Sequence, residues 1–219
     1  MNLRSFLGAA AGIAVFAASA SADVTFQFQR FTNNANVDVA SQLSMTVSQV
    51  DSNTVRFTFN NTAAVQSTIK SVHFDELDSA ADLISFSSSS HTTTSGGSTA
   101  SFFKNGSPAS LPDGSAISFN TELSHTANTP TTSRGLNELA DSLRVTLDLV
   151  SGRTFSDVLD YLNDGSLRLG LYVTNIPHSY NKTKADSFVN LPSTTTVPAP
   201  AAVALGAIGA AMAAAFRRS

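Results

Sequence analysis

The chain has 219 residues, a formal net charge of −3, fifteen Phe, no Cys and no Trp. All sixteen Asp and Glu, but only ten of the thirteen Lys and Arg, lie between Asp23 and Val197. That stretch is therefore acidic, with no basic patch to neutralise phosphates, which disfavours a nucleic-acid partner. The absence of cysteine excludes disulfides, thiol chemistry and Cys-based zinc sites.

The first element is a leader over residues 1–22. Arg4 supplies a positive start, Phe6 to Ala18 is an uncharged apolar run, and Ala20-Ser21-Ala22 places small residues where a signal peptidase reads. Cleavage is expected before Asp23. The run is too short to span a bilayer comfortably, which favours removal over retention as an anchor. A domain over residues 23–192 follows, of a size to bury a substantial core.

Period-two alternation dominates this domain. Val24, Phe26 and Phe28 alternate with Thr25, Gln27 and Gln29; Leu43, Met45 and Val47 with Ser44, Thr46 and Ser48; Val55, Phe57 and Phe59 with Arg56, Thr58 and Asn60. Each run puts its apolar set on one face of a strand. Asp51-Ser52-Asn53 is turn chemistry and predicts a hairpin between the second and third runs. Further strands are predicted at Thr68–Phe74, Leu83–Ser87, Ala116–Thr121, Leu143–Leu149, Leu167–Val173 and Ser187–Leu191. The Ser/Thr/Gly stretch from Ser85 to Ser101 reads as a flexible loop beyond Phe86.

One segment changes period. Phe155, Val158, Leu159 and Leu162 form a helical stripe, Thr154 and Asp157 have capping-box spacing, and Gly165 suits the left-handed position after a helix. Many strands, one short helix and no βαβ alternation predict an all-β fold, an antiparallel β-sandwich, jelly-roll-like in outline.

Residues 193–200 read as a linker ending in Val197-Pro198-Ala199-Pro200. Residues 201–216 form an uncharged hydrophobic segment, read as a transmembrane helix, and residues 217–219 a basic end carrying Arg217 and Arg218. The segment would reach roughly 24 Å as a helix, short of the roughly 30 Å hydrocarbon core, and is mostly Ala and Gly. The arginines favour the cytoplasmic side. Cleavage of this tail and its retention as an anchor both remain open.

Proline pair, hydrophobic segment and terminal arginines resemble the PEP-CTERM sorting signal of bacteria, in its Val-Pro-Ala-Pro variant with Ala199 in place of the usual glutamate. The resemblance implies processing by an exosortase-type protease, transient attachment to the inner membrane, and delivery to the cell envelope, surface or exterior. The runs Thr68–Asp75, Ser107–Gly114, Leu143–Val173 and Ser187–Asn190 also resemble domains carried by such proteins. This second likeness implies fold and address, and no activity.

Catalytic motifs are missing. No Gly-x-Ser-x-Gly elbow occurs, the histidines are His73, His91, His125 and His178, and the glutamates are Glu76, Glu122 and Glu138. No catalytic residues and no cofactor are assigned. Asp75, Glu76 and Asp78 form the densest acidic run. It reads first as a solvated strand end, with calcium binding through these oxygens as the alternative. Tyr172, opposite the Leu169/Leu171 face, is the candidate for a ligand-binding aromatic. The expected function is that of a non-enzymatic, structural or adhesive envelope or matrix protein, with exopolysaccharide as a partner the resemblance suggests. The alternatives are a carbohydrate-binding module and an exported hydrolase.

Overall fold

The computed structural model describes residues 23–77, 83–96 and 99–190. The leader, with Ala20 and Ala22, and everything from Leu191 on, including Val197, Pro198, Ala199, Pro200, Arg217 and Arg218, lie outside the described residues, as does Asp78. Asp23 is described and is exposed.

Ten antiparallel strands join in one sheet: β1 (Val24–Arg30), β2 (Leu43–Asp51), β3 (Thr54–Asn61), β4 (Thr68–Glu76), β5 (Ile84–Thr94), β6 (Phe102–Lys104), β7 (Leu123–Ala127), β8 (Ser142–Leu149), β9 (Leu167–Pro177) and β10 (Thr183–Asn190). Their order is β5-β8-β3-β2-β1-β10-β9-β4-β7-β6. The all-β, antiparallel expectation is met.

β1 is the strand on which the sheet turns. Its first half, Val24 to Gln27, pairs with β2, and its second half, Phe28 to Arg30, pairs with β10. The two outermost strands then approach each other. Lys104 Nζ on β6 donates to Phe86 O on β5 at 2.8 Å, and His91 Nε2 on β5 lies 2.8 Å from Phe102 O on β6. The sheet thus curls almost into a barrel around one core.

That core is built from the alternating positions. Val24, Phe26, Phe28, Leu43, Met45, Val47, Val55, Phe57 and Phe59 are all buried, with their polar neighbours on the outer face. Phe74 of β4 meets Phe57 and Phe59 of β3 edge-on, at centroid distances of 5.3 and 6.1 Å. Each buried Phe contributes about 1.5–3 kcal/mol, with about 0.5–1.5 kcal/mol more for the ring contacts. The β2–β3 hairpin turns where its residues predict, with Asn53 N donating to Asp51 Oδ1 at 2.8 Å.

The predicted helix is α2 (Phe155–Asp164), preceded by a single turn, α1 (Thr131–Arg134). Both halves of the α2 capping box form: Asp157 N donates to Thr154 Oγ1 at 3.3 Å, and Thr154 N to Asp157 Oδ2 at 2.7 Å. Gly165 closes the helix at φ 84°. Val158 and Leu162 are its buried residues.

Three expectations are corrected. Ser85–Thr94 is not a loop but most of β5. It is an edge strand held to β8 by backbone pairing from Ser90 to Thr94, beyond a register shift after Ser85. A run of Ser and Thr shows no apolar alternation because an edge strand of this kind buries little. Ala116–Thr121 is not a strand. Asp113 and Ser118 take left-handed φ of 58° and 53°, and a 3₁₀ turn, Gly114–Ile117, stands between them. Strands β6 and β7 had no counterpart in the alternation. All five residues of β7, Leu-Ser-His-Thr-Ala, are buried, so polar and apolar positions are equally enclosed.

The segment between β6 and β7 covers the outer face of β4 and β9. Leu111 and Phe119 are buried there, against Gly170. A Cβ at Gly170 would stand 2.5 Å from a Leu111 methyl and 3.2 Å from the Phe119 ring, so the missing side chain is what lets the segment dock.

Candidate functional site

The acidic run is divided by the fold. Asp75 faces Arg168 across the β4–β9 ladder and forms an ion pair with it; the Asp75 side chain is 1% exposed. Arg168 also donates to Ile117 O at 2.9 Å and Ser118 O at 2.7 Å, and its guanidinium lies 5.3 Å from the Phe119 ring centroid. The pair therefore fastens the covering segment to the sheet, and the Asp75 charge is met by an arginine. Glu76 turns elsewhere: its Oε1 accepts from Leu83 N at 2.5 Å, and its own backbone N–H donates to Glu122 Oε2 at 3.2 Å. Among the described residues no group of three His, Asp or Glu is placed to hold a metal ion.

Glu76 and Glu122 are thus neighbours, while Glu138 sits in the turn before β8, where its N–H and that of Asn137 both donate to Asp141 Oδ2 at 3.1 Å.

Folding also creates a serine–histidine pair. Ser71 Oγ lies 2.8 Å from His73 Nε2, and Thr121 Oγ1 lies 3.4 Å from Nδ1. Ser71 and His73 are fully buried on the face that Leu111 and Phe119 cover. Burial lowers the His73 pKa to about 3. A nucleophile and base need an open path to substrate, which a sealed pair does not provide. Each side chain satisfies the other's buried polar group.

The second histidine group lies where β5 and β6 meet. The rings of His91 and His125 are 4.8 Å apart, and neither nitrogen of the fully buried His125 has a hydrogen-bond partner. Burial, then the charges of His91 and Lys104, push His125 down to about 3. Ser71 and His73 share a face because they lie two residues apart on β4, whereas their enclosure and the His91–His125 contact depend on which elements meet in the fold.

Tyr172 points outward, as its phase with buried Leu169 and Leu171 predicts, between Ser187 of β10 and Ser71 of β4. It is half-buried, and Lys70 Nζ stands 5.5 Å from its ring centroid. Burial, then Asp113 and Asp186, raise its phenol pKa. The other tyrosines belong to other elements: Tyr161 lies on α2 beneath Arg153, and Tyr180, 94% exposed, sits in the turn after β9.

Clefts among the described residues include the following two. One, of about 280 Å³, lies where the end of α2 meets β9 and β10, and is lined by Leu162, Asn163, Asp164, Arg168 and Asn190 among others. The other, of about 310 Å³, is a polar groove on the outer face of β2, β3 and β8. Among the described residues no helix is long and apolar enough to cross a membrane.

No protein-family model matches the chain, and comparison with curated proteins finds no match.

Proposed function

We propose that the chain is an exported protein of the bacterial cell envelope, surface or extracellular matrix, with a structural or adhesive role and no catalysis. The observation that carries this reading is the address at both ends: the leader with its Ala20-Ser21-Ala22 site, and Val197-Pro198-Ala199-Pro200 ahead of a hydrophobic segment and Arg217-Arg218. Signal peptidase and an exosortase-type protease are the partners this implies, with transient attachment to the inner membrane. The hydroxyl-rich outer strand faces and the burial of the Ser71–His73 pair are consistent with it. The nested pairing of β1 with β10, β3 with β8 and β4 with β7 supports a jelly-roll-like outline for the domain.

Terminal mass spectrometry of the native protein, taken separately from membrane and extracellular fractions, tests the address. A species beginning at Asp23, ending near Pro198 and found outside the cell is expected. A species keeping residues 201–219 and confined to membranes would make the tail an anchor. Deleting the gene should alter surface or matrix properties, and turnover on a broad hydrolase panel would overturn the non-catalytic role.

A carbohydrate-binding module is the second reading, favoured by the outward position of Tyr172. Binding on a glycan array that Tyr172→Ala abolishes would establish it. An array without hits would remove it.

A further inference from the structure

The outer face of β2, β3 and β8 is laid out in cross-strand rows. Ser48 stands beside Arg56, and Arg56 beside Thr146; in the next row Thr46 stands beside Thr58, and Thr58 beside Arg144. Arg56 and Arg144 are therefore diagonal neighbours, a relation that sets side chains roughly 7–8 Å apart. Arg56 is half-buried and Arg144 exposed, and they line the polar groove with Asp23, Thr46, Ser48 and Thr58.

Like charges side by side on a sheet repel, and the usual remedy is a carboxylate between them. Asp148 lies on the same face, two residues beyond Thr146 and so diagonal to Arg56 on the side away from Arg144, and Asp23 is part of the lining. Neither forms an ion pair with Arg56 or Arg144, unlike the contact pairs Arg30–Asp186 and Arg168–Asp75. The lining thus carries two arginines without a contact ion pair against one aspartate, which leaves it locally positive within a domain rich in acid. The flanking groups are hydroxyls, and the lining carries no aromatic ring on which a neutral sugar could stack.

We propose that this groove binds an acidic polysaccharide, its two guanidinium groups pairing with carboxylates of the polymer while Thr46, Ser48 and Thr58 hydrogen-bond sugar hydroxyls. Guanidinium matches carboxylate geometry with two parallel N–H donors, which a scattered positive surface would not provide. A diagonal pair of such groups suits a repeating chain of charges that crosses the strands. Cleavage before Asp23 would add the new α-amino group to the groove's lining. This deepens the surface-protein reading by naming the partner class, and rests on it for the partner's being outside the cell.

The test uses the chain purified from cells that export it, with polygalacturonate as probe and its fully methyl-esterified form and dextran as uncharged controls. Saturable binding to polygalacturonate that weakens with salt, and none to the other two, is expected. Replacing Arg56→Gln or Arg144→Gln should weaken it about tenfold each, while Lys184→Gln on β10 leaves it unchanged. Thr46→Glu, which brings a carboxylate into the groove, should abolish it, and matched thermal melts would separate misfolding from lost contacts. Equal binding of the ester, indifference to both arginine variants, or equal retention of double-stranded DNA would overturn the assignment. If binding fails but gene deletion still alters the cell surface, the groove inference alone falls. If binding holds but the protein never leaves the cell, the surface reading falls.

Discussion

Asp186 shows how one side chain can organise a distant segment. It is 1% exposed, yet its Oδ1 accepts from Thr32 Oγ1 at 2.8 Å and Asn34 N at 2.7 Å, and its Oδ2 from Ala35 N at 3.1 Å, beside Arg30 at 2.9 Å. Arg30 in turn donates to Thr32 O and Ala35 O. The chain leaving β1 is thus folded around a single carboxylate on β10. Asp186→Ala would strand a buried guanidinium and two backbone donors, and should cost about 3–5 kcal/mol in urea unfolding. Asp186→Asn, which can accept on one side only, should fall between. A loss under about 1 kcal/mol for the alanine variant would mean that water replaces the carboxylate and that the network is not structural.

At the scale of elements, α2 is legible from start to finish because its signals are local. Cap, stripe and stop all lie within twelve residues, and each was readable: Thr154 and Asp157, then Val158 and Leu162, then Gly165. Thr154→Ala removes the acceptor for Asp157 N and should cost about 1 kcal/mol, read as a lower urea midpoint with an unchanged slope. An unchanged midpoint would show that packing of Val158 and Leu162 alone sustains the helix. The alternating strands are legible for the same reason, since period two needs no partner to be recognised. β5 and β7 are not. β5 is a strand because β8 offers it backbone partners, and β7 is paired by β4 and β6 with both its faces enclosed, so its burial shows no alternation. Gly170 carries a related lesson: its meaning lies in Leu111, some sixty positions away in the chain.

For the whole molecule, the two buried histidines set a response to acid. His73 and His125 ordinarily titrate near 6.5, and burial brings both to about 3. Below pH 6.5 the unfolded chain takes up protons at these sites and the folded chain does not. Stability is therefore whole above that pH and declines as pH falls towards 3, by about 1.4 kcal/mol per pH unit for each histidine. Urea unfolding between pH 7.5 and 5, above the carboxylate range, should show this slope. His125→Phe, which forfeits no hydrogen bond, should roughly halve it; a flat profile in the parent chain would mean that the histidines are protonated in the folded state. Because His125 lies where β5 and β6 meet, loss of protection in hydrogen exchange should begin at those two strands.

The sequence by itself determined the antiparallel β class, the alternating core strands, the hairpin at Asp51–Asn53 and the capped helix, because periodicity and capping are short-range properties of the chain. It also carries the reading of the two ends, which rests on order and composition alone. Tertiary structure decided where chemistry could occur. The segment between β6 and β7 sealed the Ser71–His73 pair, and cross-strand register committed Asp75 to Arg168 and aligned Arg56 with Arg144 across two strands that are more than eighty residues apart in sequence. Such neighbours are set by which strands pair and by which side chains their pleat turns outward, and neither is written in local spacing.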